Sequence, residues 1–129
     1  MNETTVTVVG NMVDDPSVRY LPSGAAVCKF AVANNPRRFD KDAGGWRDAD
    51  PLFMSCTAWN TLAENIGNSL RKGMRVVVTG RLRMSAWQTE AGEKRTGYSL
   101  DVEDIGASLL FAEVSVTRAA RRSADRSPA

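Results

Sequence analysis

One stretch of helical pattern interrupts a chain otherwise written in short β-patterned segments, and its position constrains the fold more than any other feature. Leu62, Ile66 and Leu70 recur every four residues, the spacing of one helix face. Thr61 and Glu64 are spaced as a capping box, Arg71 and Lys72 follow where a helix dipole is negative, and Gly73 reads as the stop. Three main β-patterned segments precede this helix, at 4–10, 25–34 and 52–59, and two follow it, at 74–84 and 97–105. A turn is expected over 11–16, a short strand at Arg19 and Tyr20, and a second turn at Pro22, Ser23 and Gly24.

Five main strands with one helix between the third and fourth predict an all-β chain with an OB-fold. This is a five-stranded Greek-key barrel whose strand face and loops bind oligonucleotides or oligosaccharides. Gly10, Gly80 and Gly97 lie in or beside strands, where a small barrel bends sharply. Alternation assigns the faces. Cys28, Phe30 and Val32 share one side and Lys29 takes the other; Met54, Cys56 and Ala58 oppose Phe53, Ser55, Thr57 and Trp59. Arg75, Val77, Thr79, Arg81 and Arg83 share a side that continues to Ser85 and Trp87. A hairpin tip is expected over 88–96, with Tyr98 packing in its arm. Residues 35–50 read as a long polar loop carrying Phe39 and Trp46, a length that is usually functional inside a compact domain.

Aromatic side chains among basic ones suit an unpaired nucleic-acid strand. Bases stack on Phe and Trp whatever their identity, and Lys and Arg neutralise phosphates. Phe53 and Trp59 share their side with Ser55 and Thr57, whereas Met54, Cys56 and Ala58 make the better core. The stacking candidates are therefore Phe39, Trp46, Phe53, Trp59 and Trp87. The phosphate candidates are Arg37, Arg38, Arg47, Lys72, Arg81, Arg83, Lys94 and Arg95.

The net charge of +2 is too small to identify a polyanion partner by itself. Residues 118–129 hold four Arg and one Asp, while the preceding 117 residues hold 13 basic and 14 acidic side chains. Basic residues must therefore act locally. The chain has no histidine, the commonest general base and metal ligand, and no Gly-rich phosphate loop. Catalysis by Cys28 or Cys56 would lack an evident base. No metal or other cofactor is expected, and no enzymatic activity. The two cysteines fall on the core side of strands two and three, nearly opposite in an expected register. They are read as reduced thiols, with a disulfide within or between subunits as the alternative. No apolar run has the length of a membrane span and the N-terminus does not read as a signal peptide, so a cytoplasmic, nucleoid-associated protein is expected.

Three separated motifs carry a resemblance: VTVVGNMVDDPSVRYLPSGAAVCKFAVA, LRKGMRVVVTGRLR and AGEKRTGYSLDV. In order and spacing the chain resembles the bacterial single-stranded DNA-binding protein family, and is most similar to its actinobacterial members, over residues 4–117. The resemblance implies a homotetramer of OB-folds that coats unpaired DNA in replication, repair or recombination. It places stacking residues at Phe39, at Phe53, at Trp87 at the base of the hairpin arm, and at Trp59. Phe39 and Phe53 stand where the family often has Trp, and offer less stacking area. The resemblance also implies that 109–117 forms a short strand clamping a neighbouring subunit. Residues 118–129 are expected to be a disordered basic tail rather than the family's acidic tip, which argues against recruitment of replication and repair enzymes through that tip. The alternative is an OB-fold module for primosome-type protein contacts or RNA binding.

Overall fold

Period-two alternation resolves into a closed ring of strands. The computed structural model describes residues 3–34, 37–42, 44–48 and 51–120, with the side chains of 37–40, 47 and 48 outside that description. The elements follow as β1 (Thr5–Met12), β2 (Ser17–Tyr20), β3 (Ala26–Asn34), β4 (Arg37–Asp40), β5 (Gly45–Asp48), β6 (Leu52–Trp59), α1 (Asn60–Ser69), β7 (Arg75–Gln88) and β8 (Lys94–Ala107). The main sheet runs β1-β7-β8-β6-β3-β2, and a further pairing of β1 with β3 closes five of its strands into a ring. The helix falls between the third and fourth ring strands, as the OB-fold reading requires. Neighbours in the ring are antiparallel except β6 and β8, which run parallel from Ser55–Ser99 to Thr57–Asp101.

The ring closes over a small span. Asn11 and Met12 of β1 face Ala33 and Val32 of β3. The Val13 amide donates to the Ala31 carbonyl at 3.0 Å, and the Asn34 side-chain amide donates to the Val9 carbonyl at 2.8 Å. Gly10 makes the crossing possible, because a Cβ there would land against the Ala33 carbonyl. Gly80 allows a similar approach to the Asp101 carbonyl, beside a register shift in the β7–β8 ladder that leaves Glu103 unpaired. That shift brings Ile105 to the inner side together with Val102 and Leu100.

The inner side is packed largely with short side chains, with Phe30 and Met12 as larger members. Cys28, Val32, Cys56, Ala58, Val76, Val78 and Leu100 are buried, and Ala63 and Ile66 of α1 pack against them. Leu70 is buried just beyond the helix and Leu62 is partly buried. Cys28 pairs with Ala58 and Phe30 with Cys56, so the cysteines lie diagonally rather than opposite; both thiols are free.

The helix begins differently from expectation. β6 runs straight into α1, and the turn is made by Asn60 at φ +60°, a conformation Asn tolerates better than most residues. No side chain caps the helix at Trp59, and Thr61 lies within the first turn. Glu64 instead accepts a hydrogen bond from the Tyr20 hydroxyl at 2.6 Å, tying α1 to β2. At the other end Arg71 does what its position suggests: its Nη1 donates to the carbonyls of Gly67 and Leu70, both at 2.7 Å.

The expected polar loop contains a hairpin of its own, β4 with β5, pairing Phe39 with Trp46 and Arg38 with Arg47. Residues 109–117 join neither sheet of this chain. The expected disordered tail falls mainly on 121–129, outside the described residues. Among the described residues no helix is long and apolar enough to cross a membrane.

Gly10→Ala should destabilise the fold by about 1–3 kcal/mol through forced overpacking at the closure. Gly106→Ala, where nothing lies within 4 Å of an added Cβ, should stay near neutral. Urea unfolding of the two variants checks this, and equal midpoints would show that the β1–β3 crossing does not depend on the missing side chain.

Candidate nucleic-acid interface

Paired residues in neighbouring strands point to the same side of a sheet, so the register defines the outer surface. One row runs from Lys29 on β3 through Thr57 on β6 and Asp101 on β8 to Arg81 on β7. The next runs from Ala31 through Ser55 and Ser99 to Arg83. Phe53 and Trp59 stand at the two ends of β6 on this same side, 64% and 46% exposed. The core is complete without either.

β7 and β8 extend beyond the ring as a two-stranded arm. β1 leaves β7 at Arg81 and β6 leaves β8 at Ser99, yet the β7–β8 ladder continues to Gln88–Lys94. A turn over 89–93 closes the arm: the Gly92 amide donates to the Thr89 carbonyl and the Thr89 amide to the Glu93 carbonyl, both at 2.9 Å. Trp87 pairs with Arg95 one step from the end of the ladder, so it sits near the tip of the arm rather than at its base. The strands are longer than their alternation suggests because cross-strand pairing sustains residues 85–88, which carry little β pattern of their own. Trp87 keeps the parity of Arg81 and Arg83 and is 51% exposed. Its indole lies over Gly97, where an added Cβ would approach the ring at 3.1 Å. Gly97 therefore seats the indole rather than bending the strand.

The cations fall into two groups. Arg83 Nε meets the Asp101 carboxylate at 2.6 Å, Arg81 Nη1 meets Glu3 at 3.2 Å, and Arg95 meets Glu93 at 2.7 Å. Lys29, Lys72 and Lys94 are exposed and make no ion pair among the described residues. A phosphate brought to this side would meet the lysines directly, whereas at Arg81, Arg83 and Arg95 it would have to displace a carboxylate.

Lys29 was not among the sequence candidates. Alternation puts it opposite Cys28, but its place in the row with Thr57 and Arg81 depends on a register that no local pattern encodes. Arg19 joins the same region through Val27, which pairs with both Arg19 and Trp59. Trp46 is exposed on β5. The side chains of Phe39, Arg37, Arg38 and Arg47 lie outside the described residues. Lys72 stands apart from the rows, after α1, where its backbone amide donates to Asp15 at 2.8 Å. Tyr98, expected to pack within the arm, is 58% exposed, because the ring ends before it.

Burial pushes the Cys56 thiol up to about 12 and the Cys28 thiol in the same direction. Neither presents a thiolate near neutral pH, the form a cysteine nucleophile needs. The raised folded-state value contributes stability that is present below the ordinary thiol value of 9.0 and is lost as pH rises toward about 12. Among the described residues no group of three or more His, Cys, Asp or Glu could hold a metal ion.

Residues 3–108 match the Single-strand binding protein family. The chain is 52% identical over 116 residues to Single-stranded DNA-binding protein 2 of Streptomyces coelicolor, covering 90% of this chain and 58% of that protein. It is 49% identical over 119 residues to the Single-stranded DNA-binding protein of Mycolicibacterium smegmatis, covering 92% of this chain and 72% of that one. It thus spans less than two thirds of the Streptomyces relative. Among solved structures it is similar to the small single-stranded DNA-binding protein from Streptomyces coelicolor, with a TM-score of 0.73 and 35% identity, covering 84% of this chain and 97% of that chain.

Two outcomes are expected. Gly97→Ala should displace the indole, seen as a shift in tryptophan emission at little cost in stability; an unchanged spectrum would mean the ring does not rest on Gly97. Both thiols should resist a water-soluble disulfide reagent at pH 8 in the folded protein and react at once in denaturant.

Proposed function

The chain belongs to the single-strand binding protein family, and on that footing we propose that it coats single-stranded DNA without regard to sequence and without chemistry. Bases stack on Phe53, Trp59 and Trp87, joined by Phe39 and Trp46 from the β4–β5 hairpin. Phosphates are met by Lys29, Arg81, Arg83, Lys94 and Arg95, with Arg37, Arg38, Arg47 and Lys72 extending the path. The observation that supports this most is that three large aromatics stand exposed on one continuous side of the sheet, interleaved with cations, over a core that does not need them.

The same reading makes the protein a homotetramer, acting on unpaired DNA in replication, repair or recombination in the cytoplasm. The clamp role of 109–117 belongs to it. Leu109, Leu110, Phe111, Val114 and Val116 are exposed in a single chain, which suits a segment covered by a neighbouring copy. Recruitment of replication and repair enzymes through an acidic tip is not part of the proposal.

Tryptophan fluorescence during titration with oligo-dT, oligo-rU and duplex DNA tests the reading. Oligo-dT should quench strongly, and Trp87→Ala should weaken binding by about 1–3 kcal/mol. Lys29→Ala should flatten the log–log salt slope by about 0.7, one phosphate's share on a single strand. Preference for oligo-rU would move the function to RNA, and no quenching with any ligand would remove nucleic acid altogether.

A further inference from the structure

The arm has a second side that the coating surface does not use. Past the Leu82–Leu100 pair, which closes the core, three cross-strand pairs continue on the inward parity: Met84–Tyr98, Ala86–Thr96 and Gln88–Lys94. In a longer barrel these side chains would be core. Here the ring has ended, β1 and β6 have left, and this side of the ribbon meets solvent. Met84 is 67% exposed, Tyr98 is 58% exposed, and both stand back to back with the strip that carries Trp87.

Charge identifies the occupant. The outer side of the arm holds Arg83 and Arg95, each neutralised by a carboxylate. The second side carries Lys94, which has no ion pair among the described residues, and none of its three pairs includes a carboxylate. A flat ring, a soft thioether surface and an uncompensated cation on an exposed ribbon are the combination a nucleotide recognises. An apolar contact with a second protein would gain nothing from leaving the lysine uncompensated. Tyr98 lies three ladder steps from Trp87, about 10 Å along the strand at ~3.3 Å per residue. A strand stacked on Trp87 can pass over the open edge of the ribbon and continue on the other side.

We propose that Met84, Tyr98 and Lys94 form a second nucleotide-binding strip on the reverse side of the arm, so that unpaired DNA folds around the arm and is held on both of its sides. The strip rests on the coating reading and deepens it: Tyr98 stacks a base, Met84 fills beside it, and Lys94 takes the adjoining phosphate.

Tyr20 and Tyr98 are the chain's two tyrosines, so 3-fluorotyrosine labelling of the full chain gives two fluorine resonances, assigned with Tyr98→Phe. Oligo-dT should move the Tyr98 resonance in the parent protein and again in Trp87→Ala at saturating DNA. Tyr98→Ala should weaken oligo-dT binding about 5- to 100-fold, and Lys94→Gln should flatten the salt slope by about 0.7. A Tyr98 resonance that stays still while tryptophan fluorescence is quenched overturns the strip and leaves the coating function standing. A resonance that moves on protein dilution without DNA assigns this side to a second copy and also overturns it. Silence of both tryptophan and tyrosine removes the coating function itself.

Discussion

The structure depends on a short closure in which β1, already paired along its length with β7, reaches across to β3. Two residue pairs, the Val13 amide bonded to Ala31, the side-chain amide of Asn34 and the missing side chain of Gly10 are what turn a curled sheet into a ring. Closure removes most of the exposed sheet edge. It also fixes which side of every strand faces the core. Cysteine, valine and alanine fill much of that interior, with Phe30, Met12 and Leu100 as its larger members, and strand parity puts the large aromatics of β6 and β7 on the outward side. The candidate binding surface is the outward complement of the core.

Electrostatics then sets how that surface works. The arginines on the outer rows are paired with Asp101, Glu3 and Glu93 before any ligand arrives. Such exposed pairs contribute little to stability, but they hold the planar guanidinium groups in place and lower the net field. In the proposed coating role, binding at these positions would be an exchange of one anion for another. Among the described residues Lys29, Lys94 and Arg19 make no ion pair, so long-range attraction of a polyanion would rest more on them than a count of basic residues suggests.

Much of this was legible in the sequence. Alternation placed Phe53 and Trp59 opposite Cys56 and Ala58, and put Arg81, Arg83 and Trp87 on one side, because period-two patterning follows directly from the pleat. The four-residue spacing found the helix, and Arg71 was recognisable as its C-terminal partner. Features that depend on two distant segments were not readable. The diagonal placement of Cys28 and Cys56 and the inclusion of Lys29 in a basic row come from strand register. Helix initiation at Asn60 comes from β6 running on without a loop, which overrode a plausible capping box. The length of the arm was hidden because residues 94–96 are polar and residues 85–88 mix Ser85 and Gln88 with Ala86 and Trp87, so neither strand of the arm carries a sustained hydrophobic alternation. The exposure of Tyr98 was not readable either, because alternation reports parity, not where the ring stops.

That arm has a mechanical consequence. Among the described residues it is joined beyond Leu82 to the rest of the molecule by its own two strands alone, with no lateral ladder and no core beneath it. Such ribbons open and bend at low free-energy cost compared with the body they grow from. A compliant platform can tilt to meet a purine or a pyrimidine without a fixed pocket to satisfy. In the proposed coating role, indifference to base identity would follow from softness as well as from the generality of stacking, and a stiffer arm would be a more selective one.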